Sequence, residues 1–312
     1  MRATQPAIPF TVARLFQKFV VLVLAVVPFL LVFAISFGEK IEGAAWVWSF
    51  ELSNYKRFFV GADYPNSVSF LYLKYLWYSI YYALIASILA VATAFPFVYL
   101  MTRLSRRVQT IWLVFFLCSL TFSEVFIVMG WDILMSNRSG LPMLFKESGL
   151  TDWLKQTGGL DIMRDWGLAT PRNVRFKPSE FATILTMTYL VWPYAVILLY
   201  PPVSKINNEI IEAARTMGAR PATVVRTVVL PMVRTPIVGT ILLLFVFLLG
   251  AYVTVAVFAE PAKHTLSISV YEAVRGATLN APFGSAQAVI LLLTAAAILF
   301  FGRRFVSHPE GR

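Results

Sequence analysis

Glu124 and Asp132 stand eight residues apart inside an otherwise apolar run, and Glu212 heads the string Glu212-Ala213-Ala214-x-x-x-Gly218 in a charged interruption between two such runs. A carboxylate in a hydrocarbon setting is costly unless it faces a pore, a partner or a water-filled cavity. The first pair therefore points to passage or binding of a charged solute. On a helix, residues eight apart share a face to within about 80°. Glu124 is nearer the middle of its run. Asp132 is nearer the end, where an interfacial position is the alternative. Trp192 and Tyr194 flank Pro193 in a later run, and Tyr252 follows Gly250-Ala251 in another. Aromatic rings beside a carboxylate hold organic cations, although rings at the ends of spans also serve as interface anchors.

Other chemistries lack their residues. The single cysteine, Cys118, permits neither an internal disulfide nor a thiolate cluster. His264 and His308 are far apart and have no ligand spacing, so no metal site is expected. There is no G-x-x-x-x-G-K-[ST], no H-E-x-x-H and no G-x-S-x-G. The chain is expected neither to hydrolyse ATP through its own phosphate loop nor to act as an intramembrane hydrolase.

The elements that must position these residues are long and apolar. Of 312 residues 58% are hydrophobic and 14% charged, against about 25% charged in a soluble domain, and the mean hydropathy is +0.71. A bilayer core of about 30 Å needs roughly 20 apolar residues in a helix. Six stretches qualify: 19–37, 75–101, 110–135, 181–200, 235–258 and 285–302. The first lacks a small-x-small cleavage pattern and reads as a retained helix rather than a signal peptide. The organisation expected is 1–74, an N-terminal segment with the first span and an outer loop; 75–302, the transmembrane domain; and 303–312, a tail. The outer segments 38–74 and 136–180 are expected to hold short amphipathic pieces.

Basic residues fix the direction. With the N-terminus inside, the cytoplasmic segments carry Arg2, Arg14 and Lys18, then Arg103, Arg106 and Arg107. Lys205, Arg215, Arg220, Arg226 and Arg234 follow in the interruption, and Arg303, Arg304 and Arg312 at the end. Only Glu209, Glu212 and Glu310 oppose them. The net charge of +11 is thus explained by topology, and nucleic acid is not needed as a partner.

The interruption, 201–234, reads as a short helix, a tight turn and a second short helix. Pro201-Pro202 would end the fourth span, and Asn207 or Asn208 would cap the new helix with Glu209 in its first turn. Ile210, Ile211, Ala214 and Met217 fall on one face, and Glu212 and Arg215 are spaced to pair. Gly218 suits a left-handed helix end, Pro221 the first turn of a second helix, and Pro231 its end or a bend in it. Val224, Val225, Val228 and Val229 would give that helix its apolar side.

Glu212-Ala213-Ala214, Gly218 and Val228-x-Leu230-Pro231 together resemble the EAA signature of ABC importer permeases, with Val in place of the usual Ile. "VWPYAVILLYPPVSKINNEIIEAARTMGA", "PFGSAQAVILL" and the stretch from Phe95 to Pro142 resemble the spermidine/putrescine-type branch. The resemblance runs over 75–292. It implies an all-α polytopic membrane protein with six transmembrane helices, both termini inside (N-in/C-in), in the type I importer permease fold of a bacterial inner membrane. It implies two ATP-binding cassette subunits, a second permease subunit and a periplasmic substrate-binding protein as partners. ATP and Mg would be held by the ATPases and no cofactor by this chain. Glu212, Ala213, Ala214 and Gly218 would couple to the ATPase. Glu124, Asp132, Trp192, Tyr194 and Tyr252 are the expected translocation-path residues. Gly250-Ala251-Tyr252-Val253-Thr254-Val255 departs from the branch, which has an acidic or polar residue and Thr-Pro after that glycine. The expected solute is therefore broader: polyamine-like, or another small organic amine or opine-type compound. The rival expectation is a secondary transporter driven by an ion gradient.

Overall fold

The computed structural model describes residues 10–41, 46–62, 64–276 and 279–306. Arg2, His308, Glu310 and Arg312, with most of the expected tail, lie outside them. The first helix, α1 (Phe10–Val21), passes through a π-helical turn at Leu22–Val26 into α2 (Val27–Ile35). Pro28 is the cause: it has no N–H to give, and its ring crowds the carbonyl four residues back, so the preceding turn widens. A two-stranded ribbon follows, β1 (Gly38–Glu39) against β2 (Val47–Trp48), and then α3 (Ser53–Val60).

The chain divides into two compact units, Met1–Leu73 with Ser269–Leu293, and Lys74–Ile268 with Thr294–Arg312. In the first, buried Asn54 donates to the Ser36 and Gly38 carbonyls at 3.0 and 2.8 Å. Buried Phe58 stacks on Tyr72, which meets Phe283 edge-on.

The second unit holds most of α4 (Leu71–Met101), with Ala83, Ala86, Ala90 and Ala94 fully buried. Small residues at helical spacing let backbones approach closely. Next come α5 (Arg106–Ser119) and α6 (Glu124–Leu134), and the short helices α7 (Leu141–Glu147), α8 (Leu150–Gln156) and α9 (Gly159–Asp165). A small cluster of Leu160, Ala169 and Val174 holds the segment 136–180 together. Helix α10 (Glu180–Ser204) packs against α5, α6 and α13 (Leu230–Leu249) and against α14 (Val253–Phe258). Between them lie α11 (Asn208–Thr216) and α12 (Pro221–Val224). Helices α15 (Leu266–Arg275) and α16 (Ala281–Val306) complete the chain.

Among the described residues five helices are long and apolar enough to cross a membrane, six if α5 and α6 count as one span. The straight span expected over 110–135 is in fact bent by 93°. Hydroxyls explain the break. Ser119 and Thr121 donate to the carbonyls of Phe116 and Cys118, and Ser123 accepts from Val125 N to start α6; such local bonds compete with the helix ladder. The fifth span also differs from 235–258. It begins at Pro221 and stops at Leu249, where Gly250 favours an end and Ser267 Oγ takes the Leu249 carbonyl at 2.6 Å. The fourth runs through Pro201 and Pro202 to Ser204. Prolines so near its end deprive only the Ile197 and Leu198 carbonyls of donors.

Candidate functional site

The interruption folds as a helix, a turn and a helix. Asn207 Oδ1 accepts from Glu209 N at 3.0 Å, which caps α11. At the other end Ala219 N donates to the Ala214 carbonyl and Gly218 N to the Arg215 carbonyl, at 3.2 and 2.9 Å. These two bonds form a Schellman turn. It requires a left-handed residue, and Gly218 has φ +81. Arg220 is extended and Pro221 opens α12.

The second helix is not the separate piece that the sequence suggested. It continues through a π turn, Val225–Val229, into α13, with Leu230 N bonded to the Val225 carbonyl. Pro231 stands two residues past this turn, as Pro28 does past the first, so one cause serves both. The apolar face of α11 also divides. Ile211 and Ala214 are buried, while Ile210 is exposed and Met217 is 82% exposed. Ile210, Ala213 and Met217, at helical spacing, line an outward stripe beside exposed Glu212. Glu212 and Arg215 form no ion pair among the described residues. On the second helix Val224 and Val229 are buried and Val225 and Val228 half-buried.

Glu124 lies in the first turn of α6, at the bend. Its Oε1 accepts from Thr254 N at 3.1 Å and from Thr254 Oγ1 at 2.8 Å. Thr254 is fully buried in α14. Glu124 therefore joins two elements that both begin after a break in a span. It also lines a cavity of about 250 Å³ with Phe115, Cys118, Tyr189, Tyr194 and Phe247. Pro193 lies on the wall of this cavity and has no N–H for the Tyr189 carbonyl.

The other expected path residues are placed differently. Asp132, at the far end of α6, is ion-paired with Lys177, whose Nζ also donates to the Asp132 carbonyl. Trp192 Nε1 donates to Thr93 Oγ1 at 3.1 Å, and its ring packs against Phe97 and Phe116. Tyr252 precedes α14. None of these three lines the Glu124 cavity.

Three contacts fasten the ends of α6, α10 and α14. Besides Asp132–Lys177, Ser179 N donates to the Phe258 carbonyl at 2.9 Å. Lys263 Nζ sits between Glu180 Oε1 at 3.0 Å and Glu260 Oε2 at 3.3 Å. The hydrogen bond to Glu180, and then the charges of both carboxylates, raise the Lys263 pKa above its ordinary 10.5 despite some desolvation. Sequence reasoning missed Thr254, Lys177 and the Lys263 triad, because their partners are distant in the chain and no local spacing announces them.

Residues 109–308 match the family model described as "Binding-protein-dependent transport system inner membrane component". The chain is 26% identical over 290 residues to the spermidine/putrescine transport system permease protein PotB of Haemophilus influenzae, covering 93% of this chain and 91% of that one. It is 25% identical over 279 residues to the PotB of Escherichia coli, covering 89% and 94%. Among solved structures it resembles a bacterial ABC transporter that imports the acidic polysaccharide alginate, with a TM-score of 0.65 at 13% identity over 96% of each chain. That likeness bears on the fold.

Proposed function

The chain belongs to the family of binding-protein-dependent transport system inner membrane components, and from that membership we propose how it works. It is a permease subunit of an ABC importer, and relatives over most of its length are permease subunits rather than enzymes. In this reading α11 and α12 face the cytoplasm, as do both termini, which agrees with the basic residues around them. Two ATPase subunits bind ATP and Mg and receive the loop. A second permease chain completes the pathway, and a periplasmic binding protein delivers the solute. That solute is a small organic amine, a class supported by the PotB likeness and by the acidic, ring-lined cavity.

The observation that carries the proposal is the continuity of the helix behind the loop. From Pro221 to Leu249 the helix is continuous through its π turn and through Pro236. The EAA residues stand just before its start at Pro221, and Thr254 stands just past its far end, holding Glu124. A push on Glu212, Ala213 or Met217 thus reaches the Glu124 cavity through one continuous helix and one short break. ATP shifts the inward–outward balance only through a difference in affinity between the two states, and the loop is where that difference enters.

The test uses the assembled complex in membrane vesicles. Glu212→Arg reverses a charge on the exposed face, and Gly218→Pro removes the left-handed turn. Each is expected to lower transport-coupled ATP hydrolysis about tenfold, a loss of some 1.4 kcal/mol in coupling, with chain levels in the membrane unchanged. Wild-type coupling in both variants would contradict the role.

A further inference from the structure

We infer that the Glu124 cavity is a cation subsite that takes one ammonium end of a small amine, with Thr254 as the residue that positions the carboxylate. This deepens the importer reading and rests on it. A carboxylate accepts at two oxygens. Oε1 of Glu124 is occupied by both Thr254 donors, and Oε2 has no partner among the described residues. Glu124 is the sole charged group on the cavity wall among the described residues. A guest there meets a net negative site, which rejects anions and favours a donor with positive charge.

The rest of the wall fits the remainder of such a guest. Phe115, Tyr189, Tyr194 and Phe247 contribute rings, and Tyr194 lies 5.4 Å from Phe247, centroid to centroid. Ring faces attract ammonium and cover methylene groups. The volume of about 250 Å³ falls below the roughly 300–1,000 Å³ of sites for drug-sized ligands. One end of a linear amine fits, whereas an oligosaccharide does not. Two side chains set the charge and aim of the site: Glu124 supplies the acceptor, and Thr254 fixes which oxygen is spent.

Cys118 is the only cysteine of the chain and lies on the same wall, so the unmodified protein carries its own reporter. In native membranes holding the full complex, Cys118 is labelled with methanethiosulfonate reagents bearing either a trimethylammonium or a sulfonate group. Labelling is read by mass spectrometry of its peptide. The cationic reagent is expected to react about tenfold faster, because a unit charge on the same cavity wall acts through an effective dielectric well below that of water. Glu124→Gln should abolish this preference, and millimolar putrescine should slow labelling of the wild type. Equal rates in the wild type, a preference that survives Glu124→Gln, or no protection by putrescine would each overturn the subsite. ATP separates the two readings. A Glu124-dependent preference together with putrescine protection, but with labelling indifferent to ATP, would support the subsite and count against the importer mechanism.

Discussion

At the scale of single residues, two acidic groups that look alike in sequence have different settings. Glu124 borders a cavity and is held by Thr254; Asp132 is held by Lys177. The difference arises from partners 130 and 45 residues away, which no spacing rule reaches. Lys263 is a third such case, and it makes a prediction about pH. Its folded pKa is raised above 10.5, chiefly by the hydrogen bond to Glu180. A group raised on folding contributes stability that is complete below its unfolded pKa and is lost as pH climbs through the folded one. The difference in unfolding temperature between the wild type and Lys263→Met should therefore be constant from neutral pH to about 10 and shrink above 10.5. Unfolding followed by tryptophan fluorescence from pH 7 to about 11.5 checks this. A difference that grows with pH would contradict it.

At the scale of elements, the sequence was most legible where the signal is local. The cap at Asn207, the left-handed Gly218 and the start at Pro221 lie where their residue types require. Each is decided within a few residues. What escaped was continuity. Pro231 reads as an end or a bend, and the helix passes it by widening one turn, because a π turn removes the clash at the cost of a single irregular bond. The breaks at 120–123 and 250–252 were hidden inside apolar runs, since hydropathy counts surface and ignores hydroxyls that take backbone carbonyls. The π turn carries its own prediction. Pro231→Ala lets Val225–Val229 close to an ordinary α turn, with a gain from propensity of up to about 3 kcal/mol. Closing it rotates α11 and α12 by about 100° relative to α13, one residue's worth of helix. The variant should be more heat-stable and yet poorly coupled to ATP hydrolysis. Unchanged coupling in a stabilised variant would show that the turn is mere accommodation.

At the scale of the whole molecule, composition and charge already indicated an all-helical membrane protein, and the family match over 109–308 agrees. The apolar runs fix the number of spans to within one, the uncertainty being the bent pair α5–α6. The cavity was not legible, because it is assembled from α5, α6, α10 and α13, whose contacts follow from packing. In the proposed mechanism the α11–α12 loop faces the motor of the importer. Met217, at its tip and 82% exposed, is the place to ask. With Met217→Cys in a Cys118→Ser chain, a short thiol-to-amine cross-linker is applied to native membranes, and the product is identified by mass spectrometry. The expected product is a cross-link to an ATP-binding subunit, with a yield that changes when ATP is added. A chain that co-purifies with that subunit and yet links only to lipid, to itself or to a periplasmic protein would contradict it.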